Sequence, residues 1–566
     1  MSDQRIDFLT AQLIASNLDA TAQEMSATVT RTALSPLFNE AHDFTTGIFD
    51  FRGQREARLV AQAPGCTLHL YAIVGAVEAM LERFRVNLHE GDILLLNDPY
   101  AGGTHGPDWT LVAPVCYQGL PILLPAVRAH MGDNGGPVAG GYNPRAEEAW
   151  QEGLRIPPIK IVERRQVRKD VMNWLLANNR LPQWLEGDLA AMIGACHIAE
   201  TRIGELFGRF GLEGVRAAID QIIDYSERRT RQQIALWPDG TYVGETWTDH
   251  DFHGKEDIKL HVQATVSGDS LSLDFSGSDS QAHGFINSPI TNTRSFVFAA
   301  IASLLPSDIP INDGLMRPVE ILAPRGSVVN PVAPAPCGHA TAIVGAEIVE
   351  AVMTALDGAV PELVGVNAHK LPLAYTHGRD PKSGSTYVNL NFHGYTGGAG
   401  AAYGVDGWGL YPPIMAGVIL PSIEMTEVQY PCRFLQHEIQ PDTAGAGRWR
   451  GACGVRTEIR YLDPESRTHV MVSGYRHRIK GFAGANEGSP SWVTLRAGTP
   501  AEVVVTDVAF DIPMGMDDVI RFERGGGGGW GLPHTREPAL IRDDLENGYI
   551  TSAGAFQDYR YVDDDL

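Results

Sequence analysis

Apolar side chains recur with two different periods along the chain, and the change of period predicts where helices give way to strands. Between residues 6 and 33 the spacing is close to 3.6, which is typical of an amphipathic helix with one buried face. The apolar positions there are Leu9, Leu13, Leu18, Ala22, Met25 and Val29. Residues 67–86 predict a second helix, and residues 181–236 predict two helices that are broken near Gly211.

Short apolar runs and alternating segments predict the strands. Residues 93–96 form a buried run that stops at Asn97-Asp98-Pro99. Segments 259–266 and 270–275 alternate on either side of Ser267-Gly268-Asp269, which predicts a hairpin. Helical patterns return near 292–304 and 342–357, and strands dominate from about 430 to 522. The pattern predicts an α+β fold.

A chain of 566 residues is too long for one ordinary domain. The changes of pattern divide it into four predicted segments. Residues 1–180 hold the N-terminal helices and glycine-rich loops with candidate metal ligands, and 181–236 hold the helical pair. Residues 237–430 are mixed, and 431–566 are rich in strands and include a glycine-rich loop at 525–531 and an acidic tail.

The charge excludes one class of function. Asp and Glu number 68 against 45 Lys and Arg, which gives a formal net charge of −23. An acidic surface repels phosphates, so we expect neither nucleic acid nor an anionic membrane as a partner. The six cysteines are scattered without a CxxC pair, and neither a signal sequence nor a long apolar window is present. These features predict a reduced, cytoplasmic protein.

The segment from Leu96 to Gly136 carries the richest chemistry. His105 and Asp108 are three residues apart, and His130 follows after two apolar runs. Two imidazoles and a carboxylate suit Zn²⁺, Mn²⁺ or Fe²⁺ and leave coordination positions open. The spacing is short, however, and ordinary turn residues would produce the same pattern. His69, on the second predicted helix, is a candidate catalytic residue with a structural role as the alternative.

Two further motifs are weaker. The run Gly525–Gly531 lacks the pattern and the lysine of a nucleotide-binding P-loop, so a flexible linker is the expected role. Cys337 and His339 lie on one tight loop, where a nucleophile and its base rarely reach a productive geometry. We therefore expect Cys337 to be a buried thiol and not a nucleophile.

Several motifs together resemble one known family. They are the segments 97–108 (NDPYAGGTHGPD), 38–44 (FNEAHDF), 151–158 (QEGLRIPP), 308–314 (DIPINDG) and 445–451 (GAGRWRG), with the glycine-rich run 525–531. The sequence resembles the hydantoinase B/oxoprolinase family over nearly its whole length. That family includes subunits of ATP-dependent hydantoinases, oxoprolinases, lactamases, and acetone and acetophenone carboxylases.

The resemblance implies a division of labour between two polypeptides. A hydantoinase A-type partner would bind ATP with Mg²⁺ and phosphorylate the substrate, whereas this chain would hold a divalent metal, Zn²⁺ or Mn²⁺. The implied ligands are His105, Asp108 and His130. Asp133 matches an acidic residue of the family's HHAD segment, which implies that it orients His130 and takes part in acid–base catalysis.

The departures from the family pattern bear on the reaction. Hydrolase members often read HHADIGG where this chain has residues 130–136 (HMGDNGG). This difference favours a ketone carboxylase that adds bicarbonate-derived CO₂ through phosphorylated intermediates. The alternatives are an ATP-dependent cyclic amide hydrolase of the hydantoinase, oxoprolinase or lactamase type, and a non-catalytic structural subunit.

Overall fold

The structure is a computed structural model that describes residues 6–54, 56–370, 372–409 and 417–562. The acidic residues 563–565 lie outside the described residues. The helices are α1 (Phe8–Thr32), α2 (Pro36–Asn39), α3 (Ala72–Phe84), α4 (Lys169–Ala177), α5 (Pro182–Ile234), α6 (Ile290–Ser303), α7 (Asp313–Met316), α8 (Val344–Asp357), α9 (Ile423–Gln429), α10 (Pro538–Glu546) and α11 (Ser552–Tyr559).

The strands of the first half of the chain are β1 (Phe44–Phe51), β2 (Ala57–Gln62), β3 (Ile93–Leu96), β4 (Asp108–Val112), β5 (Val115–Tyr117), β6 (Leu120–His130), β7 (Ile159–Glu163), β8 (Gln166–Val167), β9 (Gly240–His250), β10 (Glu256–Ser267) and β11 (Ser270–Asp274). Those of the second half are β12 (Val319–Leu322), β13 (Leu373–Arg379), β14 (Thr386–Asn389), β15 (Cys432–Gln440), β16 (Gly454–Tyr461), β17 (Ser466–Met471), β18 (Trp492–Leu495), β19 (Val503–Val505), β20 (Val508–Met514) and β21 (Val519–Glu523).

Helix α1 begins after Asp7, whose carboxylate accepts from the N–H of Thr10. Its buried face packs on the long helix α5. The buried positions are Ala11, Ile14, Leu18, Thr21, Ala22, Met25 and Val29. The predicted set of buried apolar positions is wrong at the start of the helix, because Leu9 and Leu13 are exposed. Ile14 and Ala11 precede Leu18 by four and seven residues, so they lie on the same face of the helix as Leu18.

Two other predicted helices differ in detail. The predicted segment 67–86 divides into a 3₁₀ turn, Thr67–His69, and helix α3. His69 therefore lies on the turn and not on the helix. The predicted break near Gly211 is confirmed, since this residue has a φ of 68° within α5, which glycine adopts without steric cost.

The largest sheet has the strand order β2-β1-β6-β4-β3-β7-β8, with β5 beside β6, and its pairs are antiparallel. Ile93 and Leu95 face the core shared with α1 and α5, whereas Leu94 and Leu96 face α3. Both faces of β3 are therefore covered, which explains why its sequence is continuously apolar.

Three smaller sheets complete the fold. Their strand orders are β12-β11-β10-β9, β14-β13-β17-β20 and β15-β16-β21-β18-β19. The β10–β11 hairpin confirms the prediction around residues 267–269. Because β13 pairs with β17, one sheet crosses the predicted boundary between residues 430 and 431. Helices combined with mainly antiparallel sheets confirm the α+β fold.

The glycine-rich run 525–531 is buried inside the C-terminal part of the chain. Its backbone N–H groups donate to neighbouring segments, as Gly525 does to Ser491 Oγ at 2.9 Å and Gly527 to the carbonyl of Ala452 at 3.0 Å. A Cβ at Gly527 would collide with the carbonyl oxygen of Ala399. The expectation of a flexible linker is wrong, because the glycines allow close backbone packing.

Candidate metal centre

The ends of two neighbouring strands place Asp108 and His130 side by side. Asp108 begins β4, His130 ends β6, and the antiparallel register pairs these residues directly. Directly opposed residues project from the same face of a sheet, so the two side chains lie together. The N–H of His130 also donates to the carbonyl oxygen of Asp43 at 3.1 Å, which brings the start of β1 to the same edge.

His105 reaches this pair from the loop between β3 and β4. The side chain of Asn97 holds the loop, since its Nδ2 donates to the carbonyl oxygens of Gly106 at 2.6 Å and Leu154 at 2.9 Å. A Cβ at Gly103 would collide with the carbonyl oxygen of Asn97. The turn therefore requires glycine for close backbone approach.

His105 and His130 each direct one ring nitrogen at the same carboxylate oxygen. His105 Nε2 lies 2.8 Å from Asp108 Oδ1, and His130 Nδ1 lies 3.0 Å from it. All three side chains are buried, and one donor atom from each lies within 4.8 Å of the others. Two imidazoles and a carboxylate are a suitable donor set for Zn²⁺ or Mn²⁺. The residues present therefore fit a divalent metal.

The other side-chain nitrogen or oxygen of each of these three residues, which does not take part in the convergence, contacts another group of the protein. His105 Nδ1 donates to the carbonyl oxygen of Gly338 at 2.8 Å, and His130 Nε2 lies 3.4 Å from the Tyr142 hydroxyl. Asp108 Oδ2 accepts from Thr104 Oγ1 at 2.7 Å and from Arg128 Nη2 at 2.9 Å. Such contacts fix the tautomers and orientations of metal-binding side chains.

The charges of His105 and Asp108 are coupled. Burial lowers the pKa of His105, but the Asp108 carboxylate and the hydrogen bonds outweigh burial, so the pKa lies above its ordinary value. Burial raises the pKa of Asp108, but His105, His69 and Arg128 together hold it well below its ordinary value. Binding of a metal ion at His105 would therefore compete with protonation of the same ring.

His69 lies beside the three candidate ligands. Its Nε2 donates to Asp43 Oδ1 at 3.0 Å, and its Nδ1 lies 3.7 Å from Asp108 Oδ2. Nδ1 is buried and has no hydrogen-bond partner in the part of the chain that the structure describes. The hydrogen bond to Asp43 leaves the lone pair of a neutral His69 on Nδ1. The structure therefore brings this candidate catalytic residue to the site.

Asp133 lies in a different environment. Its carboxylate accepts from the backbone N–H groups of Gly135 at 3.2 Å, Gly140 at 3.0 Å and Arg180 at 2.9 Å. The Arg180 guanidinium lies 3.1 Å from the same carboxylate. The expectation that Asp133 orients His130 is wrong, because the two ring nitrogens of His130 face Asp108 and Tyr142. Asp133 instead stabilises the turn after β6.

A cavity of about 40 Å³ opens beside the three candidate ligands. Its lining combines histidine and aspartate side chains with aromatic and aliphatic ones. The lining residues are Asp43, Leu68, His69, His105, Asp108, His130, Tyr142, Thr341, Ala342, Leu373, Tyr375, Leu390, Phe392 and Tyr395. Tyr142 and Tyr375 stack with ring centroids 4.4 Å apart. No lysine or arginine is among these described lining residues.

Sequence reasoning missed three residues around the site. Arg128 stands two residues before His130 on β6, and strand alternation would have placed it on the same face. Glu152 belongs to the 151–158 motif, and only the fold shows what it contacts. Tyr142 gives no sequence signal.

Cys337 is confirmed as a buried thiol, and burial raises its pKa well above the ordinary value.

The hydantoinase B/oxoprolinase family model matches residues 7–533. This chain belongs to the hydantoinase B/oxoprolinase family. The caprolactamase beta chain of Pseudomonas jessenii is 31% identical over 582 residues, which cover 99% of this chain and 97% of the relative. The B-type chain of a putative D-/L-hydantoinase of Pseudomonas sp. (strain NS671) is 28% identical over 571 residues, which cover 98% and 95%.

Two solved structures match the fold of this chain. The ATP-dependent caprolactamase of Pseudomonas jessenii matches with a TM-score of 0.92 and 29% identity over 99% of this chain and 97% of that one. Nucleotide-free acetone carboxylase matches with a TM-score of 0.87 over 98% and 79%, at 19% identity, which shows the fold alone. The comparisons favour the cyclic amide hydrolase alternative over the ketone carboxylase that the sequence departures favoured.

No described helix is long and apolar enough to cross a bilayer.

Proposed function

We propose that this chain is the metal-binding subunit of an ATP-dependent cyclic amide hydrolase of the lactamase or hydantoinase type. The observation that carries the proposal is the convergence of His105 Nε2, His130 Nδ1 and Asp108 Oδ1 in residues that line the cavity. Family membership and the full-length similarity to a caprolactamase chain support the same reaction class.

His105, Asp108 and His130 would hold a divalent ion, Zn²⁺ or Mn²⁺. When bound, such an ion supplies Lewis acidity, which activates water and stabilises negative charge on oxygen. The protein contributes a fixed donor set, because Arg128, Gly338 and Tyr142 hold the outward atoms of the three side chains. The buried walls of the cavity also limit access of bulk water, which protects a phosphorylated substrate from unproductive hydrolysis.

His69 and Asp43 form the proton-accepting pair in this proposal. Asp43 accepts the Nε2–H of His69, so the lone pair of a neutral His69 lies on Nδ1, a buried atom of a residue that lines the cavity. In the proposed reaction His69 takes a proton from water as the water attacks the activated amide carbon. The Asp43 carboxylate orients the ring and stabilises the imidazolium that forms.

The cavity favours an uncharged ring as substrate. Leu373, Tyr375, Leu390 and Phe392 line the same cavity as the candidate metal ligands and make much of its lining apolar. A substrate carboxylate would find no lysine or arginine among the lining residues that the structure describes, and burying it without a partner is costly. We therefore propose an unsubstituted lactam as a better substrate than 5-oxoproline, which carries a carboxylate.

In this proposal a hydantoinase A-type partner subunit binds ATP with Mg²⁺. The glycine-rich run of this chain does not offer a phosphate site, since backbone N–H groups of Gly525, Gly526, Gly527 and Gly529 already donate to protein acceptors. Two of the relatives are named as single components of larger enzymes, which supports a heteromeric assembly.

The proposal is tested with the chain co-purified with its A-type partner. Lactams, hydantoin, 5-oxoproline and ketones are supplied with ATP and bicarbonate, and products are identified by mass. We expect an uncharged lactam to gain one water and become an amino acid. A ketone that gains CO₂, with every cyclic amide left intact, would show that the carboxylase is the correct reaction. The Asp108→Asn complex is the inactive control.

A further inference from the structure

Glu152 is a buried carboxylate that lies outside the cavity. It ends the 3₁₀ turn Ala149–Glu152, and its side chain points at a loop 185 residues further along the chain. One carboxylate oxygen accepts from the N–H of Cys337 at 2.9 Å, and the other accepts from the N–H of Gly338 at 2.5 Å. Two hydrogen bonds to one carboxylate fix both the position and the orientation of this short backbone segment.

The segment held by Glu152 also holds His105. The carbonyl oxygen of Gly338 accepts from His105 Nδ1 at 2.8 Å. A carbonyl oxygen only accepts, so this bond fixes the proton of a neutral His105 on Nδ1 and leaves the lone pair on Nε2. Nε2 is the nitrogen that faces Asp108 Oδ1 at 2.8 Å. The chain of contacts therefore runs from Glu152 through Gly338 to the donor atom of His105.

The contact between Glu152 and the loop depends on glycine at 338. A Cβ added there would lie 2.8 Å from Glu152 Oε1 and 3.1 Å from Phe285 Cδ2. A side chain at this position would push the carboxylate away from the two N–H groups. A substitution of Gly338 is therefore a second way to break the contact between Glu152 and this loop.

We propose that Glu152 is a positioning residue for metal binding, because it fixes the Gly338 carbonyl that orients His105. This inference rests on the proposed metal site at His105, Asp108 and His130. Outward hydrogen-bond partners of metal-binding histidines set the tautomer, and their loss typically weakens metal binding about 10- to 100-fold. Glu152 acts one step further out, through the backbone segment that supplies the partner.

The test uses Glu152→Gln in the full chain. The amide has the same size, but its NH₂ group cannot accept from a backbone N–H, so one of the two hydrogen bonds becomes a donor–donor contact. Glu347→Gln is the matched control. Glu347 is equally buried, and its carboxylate contacts Lys370 Nζ at 2.8 Å and Thr246 Oγ1 at 2.5 Å.

Two readouts separate positioning from general stability: Zn²⁺ affinity by competition with a chelator, and the visible absorption spectrum of the Co²⁺-loaded protein. We expect Glu152→Gln to bind Zn²⁺ about 10-fold or more weakly, with an altered Co²⁺ spectrum, while Glu347→Gln matches the wild type. Gly338→Ala should reproduce the Glu152→Gln result, and it replaces that variant if Glu152→Gln does not fold.

Wild-type Zn²⁺ affinity and an unchanged Co²⁺ spectrum in Glu152→Gln, or in Gly338→Ala, would overturn the positioning role and leave the metal site standing. A wild-type chain that binds neither Zn²⁺ nor Co²⁺ would overturn both the metal site and this inference. The two failures are therefore distinguishable in one set of titrations.

Discussion

Removal of the Tyr142 hydroxyl tests whether its contact with His130 strengthens metal binding. Tyr142→Phe removes only the oxygen that lies 3.4 Å from His130 Nε2, while the ring can keep its stacking on Tyr375. A buried N–H that loses its acceptor costs about 1–3 kcal/mol, and the long distance points to the lower end of that range. A metal on Nδ1 would keep the proton of His130 on Nε2, whereas in the metal-free chain Nδ1–H can donate to Asp108 Oδ1, so the loss falls on the metal-bound chain. A loss of about 1 kcal/mol there weakens metal binding about fivefold.

The assay is Zn²⁺ affinity by chelator competition, with Tyr461→Phe as the matched control. Tyr461 is also buried, but its hydroxyl contacts Thr376 Oγ1 at 2.7 Å and Thr468 Oγ1 at 3.0 Å, on another sheet. We expect a fall of about fivefold for Tyr142→Phe and none for Tyr461→Phe. Equal affinities in the two variants would refute the idea that Tyr142 supports His130.

Three further predictions concern catalysis, pH and folding. His69→Asn should lower kcat by about 10²- to 10⁴-fold without changing bound metal, measured by turnover and elemental analysis; loss of the metal would make His69 a ligand instead. Because the pKa of His105 is raised, its ion pair with Asp108 stabilises the metal-free chain at low pH and is lost as pH rises through that pKa. Metal binding needs the deprotonated ring, so the rise in Tm on adding Zn²⁺ should grow as the pH is raised above the ordinary histidine pKa of about 6.5, and a constant rise would contradict this. Gly527→Ala should abolish soluble expression, because its Cβ would collide with the Ala399 carbonyl, whereas Gly204→Ala, within helix α5 and with open space around it, should remain soluble.

The sequence predicted the elements whose pattern follows from local periodicity. Strand β3 was predicted because a strand that is buried on both faces is continuously apolar. The β10–β11 hairpin was predicted because strands with one buried face alternate between apolar and polar residues. The start of the α1 stripe was misplaced, because Leu9 and Leu13 are apolar but exposed. Burial of the run 525–531 could not be predicted, since it depends on backbone segments that are distant in sequence.

The candidate metal ligands could be selected from the sequence because they lie in two short motifs, residues 97–108 and 130–136. His105, Asp108 and His130 were selected from spacing and resemblance, and the strand register explains why they meet. The contact expected for Asp133 was wrong, because proximity in sequence to His130 does not decide which way a turn residue points. Glu152 could not be found from the sequence, since its role depends on a contact with Gly338, 186 residues away.

The most direct test of the account is the metal content of the purified chain. Asp108→Asn removes the carboxylate on which both histidines converge, and Asp133→Asn is an equally buried control on a neighbouring turn. We predict about one divalent ion per wild-type chain, about one in Asp133→Asn, and almost none in Asp108→Asn. A wild-type chain without metal, or an Asp108→Asn chain with the wild-type content, would contradict the account.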